Sequence, residues 1–155
     1  MSDDILTSGQ HSIQIDASPQ AIWGLLTDPA NQGTLSPECQ RAEWEGDITE
    51  PVSGAQIHGY NKQGDFEWDA VATVTEADPG RVWEFKVGAI DDNSATTWRY
   101  DIAAGDGGAP CTVTESFDAP ILREDFFQKM DPPRHSLLMT NLETTLANLK
   151  QLAEG

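Results

Sequence analysis

The chain has 155 residues, and nine lysines and arginines stand against 26 aspartates and glutamates, so its formal net charge is −17 at pH 7. This length favours a single domain, which we expect to span residues 1–155. The acidic balance argues against binding to nucleic-acid phosphates or to an anionic membrane surface. No run of about 18 apolar residues occurs, so membrane insertion is not expected either.

The first residues, Met1-Ser2-Asp3-Asp4, lack the basic and then apolar pattern of a secretory signal. We therefore expect a flexible tail over residues 1–9 and a cytoplasmic protein. Cys39 and Cys111 are too few and too widely spaced for the disulfide framework of a small secreted domain, which predicts two reduced thiols. The histidines fit no metal-binding motif, and we expect neither a metal nor a cofactor.

One strand and two short helices are predicted at the start of the chain. Residues 11–16 alternate apolar and polar side chains, which is typical of a half-buried strand. Ser18-Pro19 combines an N-cap residue with a proline suited to the first helical position. Asp28-Pro29 repeats this start signal, and we expect the second helix to end at Gly33.

From this point to residue 118 the sequence predicts six more strands separated by turns. The strands are expected at residues 41–45, 55–61, 66–75, 83–87, 96–102 and 111–118. The turns are expected at residues 62–65, 78–81, 91–93 and 105–108, where glycine, proline, asparagine and aspartate cluster. Period-two alternation between regularly spaced turns predicts consecutive antiparallel hairpins.

The chain closes with a long amphipathic helix, predicted from Pro133 to about Ala153. Its apolar stripe consists of Leu138, Leu142, Thr145, Leu146, Leu149 and Leu152. An apolar stripe of this kind must pack against another element, and so must the apolar faces of the strands before it. We expect an α+β fold in which a curved antiparallel sheet wraps around this helix and leaves room for a cavity between them. Residues 119–131, with Phe126-Phe127, form either a loop packed on the core or a lid over the cavity mouth.

This order of elements resembles the helix-grip fold of the START/Bet v 1-like (SRPBCC) superfamily, and the chain is most similar to polyketide cyclase/dehydrase-like proteins. The matching segments are IQIDASPQAIW at 13–23, TDP at 27–29, GAQIHGYN at 54–61, WRY at 98–100 and TVTESF at 112–117. The resemblance covers nearly the whole chain. It implies a single helix-grip domain, and it implies that the protein binds an apolar small molecule, since most such proteins do.

Glu115 is the main candidate for chemistry. Its in-phase neighbours on the predicted strand are apolar, so its carboxyl group should point inward and lose water, which raises a pKa. Such a group could act as a general acid or base, with Tyr100 as a hydrogen-bond donor. The alternative is a carboxylate that reaches water or pairs with Arg99 or Arg134.

The predicted inward faces supply the candidate ligand contacts. Aromatic side chains with a polar tip suit a pocket for a flat apolar ligand, although they also fill ordinary cores. Asparagines could orient the ligand or satisfy neighbouring backbone groups. The candidates are Ile57, Asn61, Trp68, Trp83, Phe85, Trp98, Tyr100, Phe117, Phe126, Phe127, Leu138, Asn141, Leu142 and Thr145.

Three functions are compatible with these patterns. The first is binding of a small hydrophobic molecule, aromatic or lipid-like, between sheet and helix. The second is a cyclase or dehydratase that uses the same cavity, with Glu115 as proton carrier. The third is a protein-interaction module, such as a chaperone accessory, that uses the acidic surface. For each of the three we expect a monomer or a homodimer. The first two need the same cavity, so the sequence does not choose between them.

Overall fold

A computed structural model describes residues 6–88 and 95–155, and within these ranges seven strands form one antiparallel sheet. The strands are β1 (Ser8–Ile15), β2 (Cys39–Glu45), β3 (Gln56–Gln63), β4 (Phe66–Asp78), β5 (Val82–Val87), β6 (Thr96–Ala104) and β7 (Cys111–Asp118). Their order across the sheet is β1-β7-β6-β5-β4-β3-β2. Successive hairpins therefore run from β2 to β7, as the turn spacing predicts, and β1 lies at the edge of the sheet beside β7.

Helices cover the inner side of this sheet. In the described ranges the α-helices are α1 (Pro19–Thr27), α2 (Gln32–Leu35), α3 (Asp125–Gln128) and α4 (Arg134–Glu154), with 3-10 turns at Pro29–Asn31, Asp106–Gly108 and Pro120–Arg123. The predicted α+β helix-grip architecture, a curved sheet around a long C-terminal helix, is confirmed. Among the helices of these ranges, none combines the length and apolar character needed to cross a bilayer.

Local chemistry sets the start of α1. The Ser18 hydroxyl accepts a hydrogen bond of 3.1 Å from the Ala21 backbone N–H, which satisfies one of the free donors of the first turn. The second helical segment differs from its prediction, because it continues to Leu35 instead of ending at Gly33. A Cβ atom at Gly33 would collide with the Gln40 carbonyl oxygen, so this glycine permits a close backbone approach within the helix.

The long helix α4 packs on one side of the sheet. Its principal neighbours are β1, β7 and the three shorter helices. The buried stripe contains Leu138, Leu142, Thr145, Leu146 and Leu149, as predicted. The prediction for Leu152 is wrong, because this side chain is 37% exposed. Ala153 packs against the core instead, since it lies four residues after Leu149 on the same helix face.

Several predicted boundaries also change. Strand β1 begins at Ser8, which pairs with Asp118, so Ser8 and Gly9 belong to the sheet and not to the tail predicted over residues 1–9. Residues 1–5 and the predicted turn at 91–93 lie outside the described ranges. The segment at 119–131 contains α3 and a 3-10 turn.

Both cysteines are free thiols, as expected.

Candidate functional site

A cavity of about 690 Å³ lies between the inner face of the sheet and α4. It is lined mainly by inward-facing residues of β3, β4, β5 and β6 and by one face of α4. The space exists because α4 packs mainly on β1 and β7 and does not fill the concavity over the central strands. Its volume falls within the roughly 300–1,000 Å³ typical of small-molecule sites.

Aromatic side chains dominate the wall. Those among the described residues are Phe66, Trp68, Trp83, Phe85, Trp98, Tyr100, Phe126 and Phe127. Phe66 and Phe126 are 68% and 70% exposed and mark the open end, whereas Trp83 is fully buried and marks the closed end. A wall of this composition suits a flat apolar ligand, because aromatic faces bury large apolar areas.

The carboxyl group of Glu115 lines this cavity and is only 3% exposed. Glu115 lies on β7 directly between Tyr100 on β6 and His11 on β1. Its Oε1 atom has no hydrogen-bond partner among the described residues. Burial raises the pKa of Glu115 from 4.5 to about 8, and the hydrogen-bonding influence of Tyr100 opposes this rise. The group is therefore mainly protonated and neutral at pH 7.

Tyr100 supplies the neighbouring hydroxyl group on β6. Burial is the main reason that the pKa of its hydroxyl lies well above the ordinary value of 10, and the charge of Glu115 adds to the rise. The hydroxyl thus keeps its proton. Because Tyr100 interacts with Glu115, the donor left inside the cavity is the carboxyl O–H of Glu115, which can bind a ligand oxygen or transfer a proton to it.

A second polar feature is the ion pair between Arg134 and Glu38, which also line the cavity. Arg134 Nη2 donates to Glu38 Oε1 at 2.7 Å, and Nη1 donates to Oε2, so the pair is bidentate. The side chains are 15% and 13% exposed. The Arg134 guanidinium also lies 5.7 Å from the ring centre of Trp68. The pair joins the first turn of α4 to the segment before β2.

Neither candidate arginine pairs with Glu115, so the ion pair predicted as an alternative, with Arg99 or Arg134, is wrong. Arg134 is held by Glu38. Arg99 alternates with the inward residues of β6 and therefore points to the outer face of the sheet. There it forms salt bridges with Glu76, Glu84 and Asp101.

Most predicted ligand contacts line the cavity: Ile57, Asn61, Trp68, Trp83, Phe85, Trp98, Tyr100, Phe126, Phe127, Leu138, Asn141 and Thr145. Phe117 and Leu142 are not among the described residues that line it. They pack with Leu138 in a separate core cluster, where α4 meets β7 and closes the gap. Their predicted contact with a ligand is corrected accordingly, and the roles of the others stay predictions.

Some lining residues were missed by the sequence analysis. Phe66, Ala70 and Ala72 share the inward face of β4 with Trp68, and the alternating pattern of that strand would have identified them. Glu38 and Arg134 are 96 positions apart, and no local pattern connects them. Within the described residues, no group of three or more histidine, cysteine or acidic side chains could hold a metal ion.

The fold and its internal cavity define the class as helix-grip (Bet v 1-like) proteins. The family described as "Polyketide cyclase / dehydrase and lipid transport" matches residues 7–154, and the chain belongs to this family. No curated protein matches the chain.

Three solved structures illustrate the shared fold. The Polyketide_cyc-like protein Cgl2372 from Corynebacterium glutamicum is 24% identical over 94% of this chain and 91% of its own, with a TM-score of 0.63. The di-domain ARO/CYC StfQ from the steffimycin biosynthetic pathway is 13% identical over 96% of this chain and 50% of its own, with a TM-score of 0.69. The Aha1 dimer from Colwellia psychrerythraea is 18% identical over 96% of this chain and 97% of its own, with a TM-score of 0.64. At these identities the similarity establishes the fold alone.

Proposed function

We propose that the protein binds a small hydrophobic molecule, aromatic or lipid-like, in the cavity between the sheet and α4. The observation that carries this proposal is the cavity of about 690 Å³ with its aromatic wall. Membership of a family described by cyclase, dehydrase and lipid-transport activities supports it. Water can form few hydrogen bonds beside the apolar groups of such a cavity, so the binding of an apolar ligand there is favourable.

The test is a screen of uncharged naphthalenes, flavones and medium-chain alcohols by native mass spectrometry and tryptophan fluorescence. Trp68, Trp83 and Trp98 line the cavity, so a bound ligand should change the emission. At a ligand concentration of about 100 times Kd, binding stabilises the fold by about 2.7 kcal/mol. For a chain of this length that corresponds to a rise in Tm of roughly 5–10 °C.

A pair of substitutions on β4 shows where the ligand binds. Ala70→Phe adds a ring inside the cavity, and we expect it to weaken binding at least tenfold. Val71→Phe adds the same ring on the opposite face of the strand and should leave the affinity unchanged. Equal affinities in the two variants would place the ligand elsewhere, and failure of the whole panel to bind would remove the proposal.

The second candidate is a cyclase or dehydratase, and the unpartnered carboxyl of Glu115 is the observation that favours it. In a ring closure, Glu115 would give its proton to a ligand carbonyl oxygen as the new carbon–carbon bond forms, and would regain the proton that the attacking enol loses. In a dehydration, it would protonate the departing hydroxyl and recover the proton lost from the neighbouring carbon, with water as the product.

Glu115→Gln separates this candidate from simple binding. Glutamine has nearly the same shape but cannot transfer a proton, so turnover should be abolished while ligand affinity is retained. Tyr100→Phe should reduce turnover less, because it removes one donor and leaves the carboxyl in place. Unchanged turnover in Glu115→Gln would exclude Glu115 as the proton carrier.

A further inference from the structure

Acidic residues outnumber basic residues in the wall of the cavity. Glu38, Glu115 and Arg134 are the charged residue types among the described residues that line it. Both oxygens of Glu38 accept hydrogen bonds from the Arg134 guanidinium, so these two charges offset each other. Glu115 has no cationic partner there. A ligand anion therefore finds no free positive group in this wall, and the net charge of −17 opposes its approach.

Glu115 also has an unfilled hydrogen-bonding position. Tyr100 faces it from β6 and His11 lies opposite it on β1, but Oε1 has no partner among the described residues. Besides Tyr100, Glu115 and the paired Glu38 and Arg134, the titratable group among the described lining residues is the Cys39 thiol on β2, and burial raises its pKa. Apart from the paired Arg134, the described lining residues of β3, β4, β5 and α4 are uncharged.

The chemistry of a neutral carboxyl group decides what the unfilled position can bind. A protonated carboxyl group carries one O–H donor. Hydrogen bonding with Tyr100 lowers the pKa of Glu115, as expected when the tyrosine hydroxyl donates and the carboxyl group accepts. The carboxyl proton is then left to be donated to something else. Among the described residues Oε1 has no partner, and a buried polar group gains stability when it acquires one.

We propose that the ligand is uncharged and presents a carbonyl oxygen, as in an aryl ketone, aldehyde or quinone, to the carboxyl group of Glu115. This inference rests on the proposed binding function and adds the chemical class of the ligand. The ketone oxygen accepts the spare proton without bringing a charge into the cavity. An ammonium group would instead require two buried charges, whose desolvation opposes binding.

The experiment compares four naphthalenes of similar size by isothermal titration calorimetry. Naphthyl methyl ketone carries the acceptor oxygen, and isopropenylnaphthalene has nearly the same shape with a CH₂ group in its place. Naphthoate is the anionic probe and naphthylethylamine is the cationic probe. Below about pH 7, we expect the ketone to bind about tenfold more tightly than the alkene, which is the usual worth of one hydrogen bond. Both charged probes should bind more weakly than the alkene.

Variants at position 115 connect this preference to the carboxyl group. Glu115→Leu should remove the advantage of the ketone over the alkene. Glu115→Gln keeps an N–H donor, so it should retain the advantage and make it independent of pH. In the wild type the advantage should disappear as Glu115 ionises, by about pH 9. Glu67→Gln, an exposed position on β4, is the matched control and should behave as the wild type.

The outcomes separate this inference from the proposed function. Equal affinities for ketone and alkene would overturn the assignment of a carbonyl ligand and leave hydrophobic binding standing. Tighter binding of the amine would overturn it in favour of a cationic ligand that pairs with the ionised carboxylate. Failure of all four probes to bind, in a wild-type protein shown by circular dichroism to be folded, would count against the proposed function as well.

Discussion

The buried carboxyl group of Glu115 predicts an unusual dependence of stability on pH. Its pKa is about 8 in the folded protein, against an ordinary value of 4.5 that applies to the unfolded chain. Between these values the unfolded chain has released the proton and the folded chain still holds it. The free energy of unfolding therefore falls as the pH rises through this interval and levels off above about pH 8. Glu115→Gln removes this dependence, because glutamine does not ionise.

The size of the effect follows from the shift in pKa. One pKa unit corresponds to about 1.4 kcal/mol, so Glu115 should lower the wild-type stability by about 3–4 kcal/mol between pH 5 and 8. The carboxyl is 3% exposed, so screening by bulk solvent does not reduce this figure much. The corresponding change in Tm for a chain of this length is roughly 10 °C.

Urea unfolding, followed by tryptophan fluorescence at several pH values, measures this quantity directly. Every other titrating group is shared, so the difference between wild type and Glu115→Gln isolates the contribution of Glu115. That difference should shift in favour of the variant by about 3–4 kcal/mol as the pH rises from 5 to 8. Glu67→Gln should follow the wild type. If the curves of wild type and Glu115→Gln run parallel, Glu115 ionises normally and the reasoning about its burial is refuted.

Three further predictions concern the frame of the cavity. Glu38→Gln breaks the partly buried pair with Arg134 and should destabilise the fold by about 2 kcal/mol, between the values for exposed and fully buried pairs. Leu142→Ala should lower stability by about 2–5 kcal/mol and leave ligand affinity unchanged, because this side chain is fully buried but does not line the cavity. Phe126→Ser should show the reverse, with stability changed by about 0.5 kcal/mol or less and weaker ligand binding, because Phe126 lines the mouth and is mostly exposed.

Thermal and urea unfolding, combined with titration of a ligand from the screen, test all three. The exposed pair of Arg41 and Glu43 provides a control, since Glu43→Gln should change stability by less than about 1 kcal/mol. A loss in Glu38→Gln no larger than in this control would show that the pair at the cavity is solvated. Weaker ligand binding in Leu142→Ala, or normal binding in Phe126→Ser, would contradict the boundary of the cavity described above.

Local sequence patterns were sufficient to predict the direction of a side chain wherever that direction depends only on the residue's own strand or helix. Strand β7 matches its predicted range, and the cap at Ser18 starts α1 as expected. Alternation along β4 and β6 identified Trp68, Trp98 and Tyr100 as inward-facing, since successive strand residues point to opposite faces. The same argument placed Glu115 inside, because its phase relative to apolar neighbours is a property of the strand alone.

The sequence by itself thus determined the strands, the first and last helices, their inward faces and the burial of one carboxyl group. Only the tertiary structure decided where the sheet and helix touch and where they stand apart. Phe117 and Leu142 fill the contact between β7 and α4, whereas Trp68 and Thr145, which lie on the predicted inward faces of their own elements, border the gap. Periodicity reports which face of an element points inward but not the distance to the opposite layer, because that distance depends on how residues far apart in the chain pack together.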